Sequence, residues 1–276
     1  MSTYRELLQS GRELLKNSEI ADADVDAWYL LAYVFQMNRT DLLLKGDLVA
    51  PTEQEADYRR LLSLRAEHIP VQHITGTQEF MGLEFRVSPD VLIPRQDTEI
   101  LVEEVLKVSE GKSVLDMCTG SGCIITSIAR LGKPSLAVGA DISEKALEIA
   151  AENSKRNGVC VKLYHSDLFD KITGSYDIIV SNPPYIPTSD IDELMPEVRE
   201  HEPILALDGS EDGLEFYRRI SAEAGSFLNT GAFLFYEIGY NQGEAVKQIL
   251  LREGYTDIMI KKDLSGLDRV VSARRP

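Results

Sequence analysis

From about residue 112 onward, short strand-like runs alternate with helix-like stretches, and this alternation limits the chain to few architectures. The strand-like runs are SVLDM, LAVGAD, CVKLYHSD, YDIIVSN and GAFLFYEIG. Between them lie helix-like stretches that include IITSIARL, EKALEIAAENSKRN and LEFYRRISAEAGSFL. A helix between two strands returns the chain to the end where it started, so the strands run parallel and helices cover both faces of the sheet. The closing stretch YTDIMIKKDLSGLDRVVSA holds two more strand-like runs joined by a turn with a glycine, which predicts a hairpin and an antiparallel last strand. The expected fold class is α/β: a Rossmann-like, mainly parallel seven-stranded sheet with an antiparallel last strand, preceded by a small helical bundle.

That bundle is read from residues 3 to about 68. In TYRELLQSGRELLKNS the apolar Tyr4, Leu7, Leu8, Leu14 and Leu15 recur at helical spacing. DADVDAWYLLAYVFQ follows, with the single tryptophan, Trp28, expected in the core. Thr40–Leu44 suits a short helix, and PTEQEADYRRLLSLRAEH a third long one entered at Pro51 and Thr52. Between His73 and Arg95 the texture changes to short β-like runs punctuated by Gly76 and Gly82. DTEILVEEVLKVSE then reads as a helix capped by Asp97 or Thr98. The expected organisation is a helical domain over 1–72, a β-hairpin linker over 73–95 and an α/β domain over 96–276.

Composition narrows the chemistry. The 276 residues carry a formal net charge of −16, the wrong sign for a chain that grips duplex nucleic acid on its own. Direct nucleic-acid binding is therefore not expected, whereas a basic protein partner is well matched. Cys118, Cys123 and Cys160 are too few and irregular for a disulfide framework, and His68, His73, His165 and His201 are scattered, so no metal site is expected. No apolar run reaches the roughly 20 residues needed to span a bilayer. A cytoplasmic monomer is the expectation.

In an open α/β sheet, ligands gather at the carboxyl ends of the strands. The first end, LDMCTGSGCII, turns on Gly120 and Gly122 but lacks the third glycine of a dinucleotide fingerprint, with Ile125 in its place. On its own it is equally a tight turn. At the second end Asp141, about twenty residues on, can accept both hydroxyls of a ribose or cap the helix that follows. The third end, HSDLF, offers Asp167 to an exocyclic adenine amine and the apolar Leu168 and Phe169 to the base, or is a simple turn. Glycine turn and two carboxylates, without a pyrophosphate cradle, suit a ligand with one nucleoside and no phosphate: S-adenosyl-L-methionine, leaving S-adenosyl-L-homocysteine as product.

The fourth end is SNPPYIP. Two prolines deny the chain backbone donors and fix its direction. Asn182 then supplies a side-chain oxygen, Pro183 a fixed backbone carbonyl, and Tyr185 a flat surface. An amide or aromatic amine is a poor nucleophile because its lone pair is delocalised, so what a catalyst adds is alignment with the S–CH3 bond and acceptors for the N–H groups. These four residues do not select between adenine N6 and a glutamine amide.

The ordered segments GTQEFMGLEFRVSPDVLIPRQDTEILV, VLDMCTGSGCI, ADISEKAL, DLF, YDIIVSNPPYI, EPILALDGSEDGLEFYRRI, EIGYNQG and KDLSGLDRVV resemble the HemK/PrmC-type release-factor glutamine N5-methyltransferases over nearly the whole chain. The resemblance implies a class I S-adenosylmethionine-dependent methyltransferase domain behind a helical domain that helps dock class I peptide-chain release factors. It implies that Cys118, Thr119, Gly120, Ser121 and Gly122 form the methionine-side loop, and that Asp141 binds the ribose. It assigns adenine to Asp167 and Leu168, and the glutamine of the GGQ motif to Asn182, Pro183, Pro184 and Tyr185. The chain departs from the family pattern at Cys118 (often Gly), at Gln96 and Asp97 in PRQDTE, and at Ser210. An adenine N6-methyltransferase, a ribosomal-protein glutamine methyltransferase and a cofactor-sensing module without activity are the alternatives. The intact NPPY speaks against the last.

Overall fold

A computed structural model describes residues 2–276, which separate into two compact units. The first comprises the chain up to Gly76 together with Met195–His201; the second comprises Thr77–Leu194 and Glu202–Pro276.

The first unit opens with α1 (Tyr4–Asn17), α2 (Ala23–Phe35), α3 (Arg39–Lys45), α4 (Thr52–Ala66) and α5 (Val71–Thr75). Helix α1 starts in a reciprocal capping box: Thr3 accepts from the Glu6 amide, and Glu6 accepts from the Thr3 amide. Leu7, Leu15, Leu30, Leu31, Tyr58 and Leu62 form its core. The Tyr58 hydroxyl donates to the Ala27 carbonyl at 3.0 Å. A side chain at Gly11 would meet that hydroxyl at 2.3 Å, so α1 and α4 meet at a residue with no Cβ. Trp28 departs from expectation. It is half-buried at the edge of this core, with the Arg39 guanidinium 4.1 Å from its ring centroid, because its amphipathic indole suits a rim as well as an interior.

In the second unit, β1 (Thr77–Phe80) and β2 (Leu83–Arg86) form an antiparallel hairpin. Met81 and Gly82 both adopt positive φ at its two-residue turn, which matches the twist of the strands. Helix α6 (Thr98–Leu106) follows. Neither Asp97 nor Thr98 caps it through a side chain. Asp97 instead pairs with Arg269, and Glu99 accepts from the Met81 amide at 2.6 Å.

The chain then runs β3 (Ser113–Met117), α7 (Cys123–Leu131), β4 (Leu136–Asp141), α8 (Glu144–Arg156), β5 (Lys162–His165) and β6 (Tyr176–Ser181). Past the short α9 (Pro196–Arg199), which belongs to the first unit, come α10 (Glu215–Ala224), β7 (Leu228–Glu237), α11 (Gly243–Arg252), β8 (Thr256–Lys262) and β9 (Asp268–Arg274). The seven strands order as β5-β4-β3-β6-β7-β9-β8. Strand β9 runs antiparallel to both its neighbours, and β3, β4, β5, β6 and β7 run parallel, as the alternation predicts. Successive residues of one strand serve opposite layers. Leu115 and Met117 join the core that contains Tyr217 and Val246, whereas Val114 joins the core that contains Leu101 and Ile125.

Candidate active site

The order reverses between β3 and β4 on one side and β6 on the other, so their carboxyl ends open into a shared crevice. A cavity there is lined by Cys118, Gly120, Asp141, Asp167, Leu168 and Asn182, among others. Thr119, Ser121 and Pro184 also line it, whereas Gly122, Pro183 and Tyr185 are not among the lining residues.

The loop after β3 is built on three positive φ angles, at Cys118, Gly120 and Gly122. At Gly122 the absent side chain matters for packing: a Cβ would come within 2.9 Å of Ala150 Cβ on α8. At Gly120 nothing lies within 4 Å of such a Cβ, so conformation alone selects glycine there. Cys118 adopts φ 61 with a side chain present, so this departure from the family pattern keeps the left-handed turn at a cost of about 1–2 kcal/mol. Burial pushes its thiol up, out of thiolate chemistry.

Asp141 ends β4 and pins the turn. Its Oδ2 accepts from the Gly120 amide at 2.8 Å and its Oδ1 from the Ser143 amide at 2.9 Å. Helix α8 is capped by Ser143, whose hydroxyl accepts from the Ala146 amide at 3.2 Å, so Asp141 is free of capping duty. Each carboxylate oxygen keeps capacity to accept one more donor. Burial raises its pKa, opposed by the amides that stabilise the charged form.

Beneath the turn, Asp116 is fully buried and accepts from the Thr119 hydroxyl at 2.5 Å. Among the described residues its other oxygen has no partner, and burial pushes its carboxyl up to about 7. Asp167 is already engaged: Arg219 of α10 donates to it at 2.8 Å, and both line the cavity. Leu168 lines the cavity, but Phe169 does not. It turns inward to stack on Phe227 with ring centroids 4.7 Å apart, and Phe216 supplies the aromatic wall instead.

The SNPPYIP stretch leaves β6 as an extended loop. The Ser181 hydroxyl donates to the Met117 carbonyl at 2.7 Å, which ties the start of the loop to the neighbouring strand. Residues beyond the motif hold its far end. The Gln242 amide donates to the Tyr185 carbonyl at 2.9 Å and to the Gly213 carbonyl at 3.2 Å. Ile186 donates to Leu207 at 3.0 Å and accepts from Gly209 at 2.8 Å, so ALDG runs beside the loop as a parallel strap. A Cβ on Gly213 would lie 2.3 Å from the Tyr185 carbonyl oxygen, and one on Gly209 2.8 Å from the Tyr185 Cα. Tyr185 is half-buried against the sheet core, and burial raises its hydroxyl pKa.

Gln242, Gly209, Gly213, Arg219, Phe216 and Glu237 are the residues that motif reading leaves without a role. All six lie in EPILALDGSEDGLEFYRRI and EIGYNQG or their margins. The spacing of the glycines in LDGSEDGL was the available signal, since two glycines four apart in a loop mark a close backbone approach. Arg95, beside the cavity, is ion-paired to the buried Glu202.

A seven-stranded sheet of this order, with a glycine turn, a carboxylate at the second strand end and an Asn-Pro-Pro-Tyr loop at the fourth, defines a methyltransferase domain. The sequence over residues 95–198 matches the methyltransferase small domain family, and residues 6–76 match the PrmC N-terminal domain. The chain is 42% identical over 274 residues to a release factor glutamine methyltransferase from Geobacter sulfurreducens, covering 99% of this chain and 96% of that protein. It is 40% identical to another from Agrobacterium fabrum, over 97% and 96% of the two chains. The chain belongs to the release factor glutamine methyltransferase family. In fold, it also resembles the Thermus thermophilus 16S rRNA N2 G1207 methyltransferase solved with AdoMet and guanosine, with a TM-score of 0.53 at 17% identity over 72% of this chain and 50% of that one.

Proposed function

We propose that this protein transfers a methyl group from S-adenosyl-L-methionine to the side-chain amide nitrogen of the glutamine in the GGQ motif of class I peptide-chain release factors. The observation that carries this reading is that Asn182 lines the same cavity as Asp141 and Gly120. The residues present suit the cofactor: Asp141 would accept from a ribose diol, Leu168 and Phe216 would give apolar surface to a base, and Asp167 and Arg219 would offer polar groups to it. S-adenosylmethionine supplies an activated methyl on a sulfonium, so the chain's own task is alignment. Asn182 Oδ1 and the Pro183 carbonyl accept the acceptor's N–H groups and direct the nitrogen lone pair at the methyl. The Pro-Pro unit, the strap and Gln242 hold those two oxygens still.

The test is transfer of labelled methyl to three acceptors: a release factor, the same factor with the GGQ glutamine changed to alanine, and adenine-rich duplex DNA. Label on the first alone supports the reading. Label on the alanine variant or on DNA alone overturns it.

A further inference from the structure

Asn182 poses a problem that its own motif does not solve. A carboxamide is nearly symmetric in shape, and either its oxygen or its NH2 group can face a ligand. An Asn that must accept from an acceptor amide has to be turned oxygen-first, and something behind it must take up its own N–H groups.

Glu237 stands in that place. It ends β7, and Ser181 of β6 pairs with Tyr236, so the next residues on the two strands, Asn182 and Glu237, emerge side by side. Glu237 is 2% exposed, and among the described residues its Oε2 has no hydrogen-bond partner. Its carboxyl lies against the Thr98 hydroxyl and the Asn182 amide. Other groups facing it are Asp97 before α6, Arg269 on β9, Tyr217 on α10, Tyr185 in the NPPY loop and Cys123 on α7. Arg269 favours its charged form from a distance but makes no ion pair with it, and its Nη2 lies 3.1 Å from both Asp97 and Asp263. A buried carboxylate without a cation in contact is costly, and a fold that keeps one at the edge of its active site gains something from it.

We propose that Glu237 is a positioning residue for Asn182: its carboxylate, which can only accept, takes an Nδ2–H of Asn182 and so turns Oδ1 toward the acceptor amide. The inference rests on the methyl-transfer reading given above. It also sets a pH dependence. Protonated Glu237 donates to Asn182 Oδ1 and favours the inverted amide, so turnover rises with pH as the carboxyl loses its proton. Burial pushes that carboxyl up to about 7.

The experiment measures single-turnover methyl transfer to a release factor from about pH 5.5 to 8.5 for wild type, Glu237→Gln, Asn182→Ala and the double variant. Glutamine keeps the shape of Glu237 but can present NH2 to Asn182 Oδ1, so the single variant is expected to lose about 100-fold in rate. Its profile should be flat where wild type rises about tenfold per pH unit below its midpoint. KM for the release factor and cofactor affinity should stay within about threefold. If Glu237 acts through Asn182, the double variant is no slower than Asn182→Ala. Wild-type rate in Glu237→Gln, an unchanged pH profile, or additive losses in the double variant overturn the proposal alone. Absence of transfer by the wild-type protein overturns it together with the reading it rests on.

Discussion

At the scale of single residues, the proposed function gives the two ends of the cavity different work, and substitutions should separate them. Asp141→Ala removes the carboxylate that holds the Gly120 turn and is left free to meet a diol. Cofactor affinity is expected to fall by on the order of 1–3 kcal/mol, read by isothermal titration, with turnover at saturation reduced far less. Asn182→Ala should show the opposite pattern, a loss of turnover with cofactor affinity nearly intact. A swapped pattern would mean that the two residues have been given each other's roles. Asp116 makes a separate prediction. Its carboxyl is raised from 3.8 to about 7 in the folded protein, so between those values the folded state binds more protons than the unfolded one. Stability contributed by this group therefore falls as pH rises from about 4 to about 7. Asp116→Asn removes that fall, and the stability of the variant relative to wild type should grow across the window by on the order of a few kcal/mol. Urea titrations at pH steps check this, and parallel curves for the two proteins would refute it.

At the scale of elements, the NPPY loop is a composite of three segments distant in sequence. Its own prolines set its direction, the ALDG strap sets its lateral position, and Gln242 at the start of α11 sets its height. Gly213→Ala tests this division, because Gly213 lines no part of the cavity yet packs on the Tyr185 carbonyl at φ +71. A displaced loop should cost about 100-fold in kcat while cofactor binding, measured separately, is retained. Equal loss of both would mean the glycine supports the domain and not the loop. This arrangement also explains what could be read in advance. Parallel strands, the glycine turn, Asp141 and the NPPY loop carry their signal within a few consecutive residues, through periodicity and backbone chemistry. The Ser143 cap, the inward turn of Phe169 and the engagement of Asp167 by Arg219 depend on which side chains meet across 52 residues or more, or on competition for one helix end. Glu237 was hidden for another reason: a charged residue ending a strand reads as exposed until the sheet order sets it beside β6.

At the scale of the whole molecule, charge is the dominant feature. A net −16 over 276 residues is an attractive field for a basic partner. The expected outcome is a salt-sensitive kcat/KM toward the release factor, falling on the order of tenfold between about 0.05 and 0.5 M salt, as screening shortens from a Debye length of more than 10 Å to a few Å. Single-turnover chemistry at saturating factor should change little. A salt-independent kcat/KM would place recognition in apolar contacts.

The residues Met195–His201 count with the first unit although the chain on both sides of them counts with the second. Inside the first unit, Glu197 of that segment pairs with Arg65 at 3.2 Å, and Arg65 in turn with the buried Asp26 at 2.7 Å. The helical unit is thus discontinuous, stitched from the chain's beginning and from a detour ten residues past the NPPY tyrosine. A cut near residue 76 would not yield two intact halves: the amino-terminal fragment would lose one of its own pieces, and the remainder would carry an orphaned turn of helix close in sequence to the NPPY loop. A shortened variant with poor activity would therefore report a torn seam as readily as a missing docking surface.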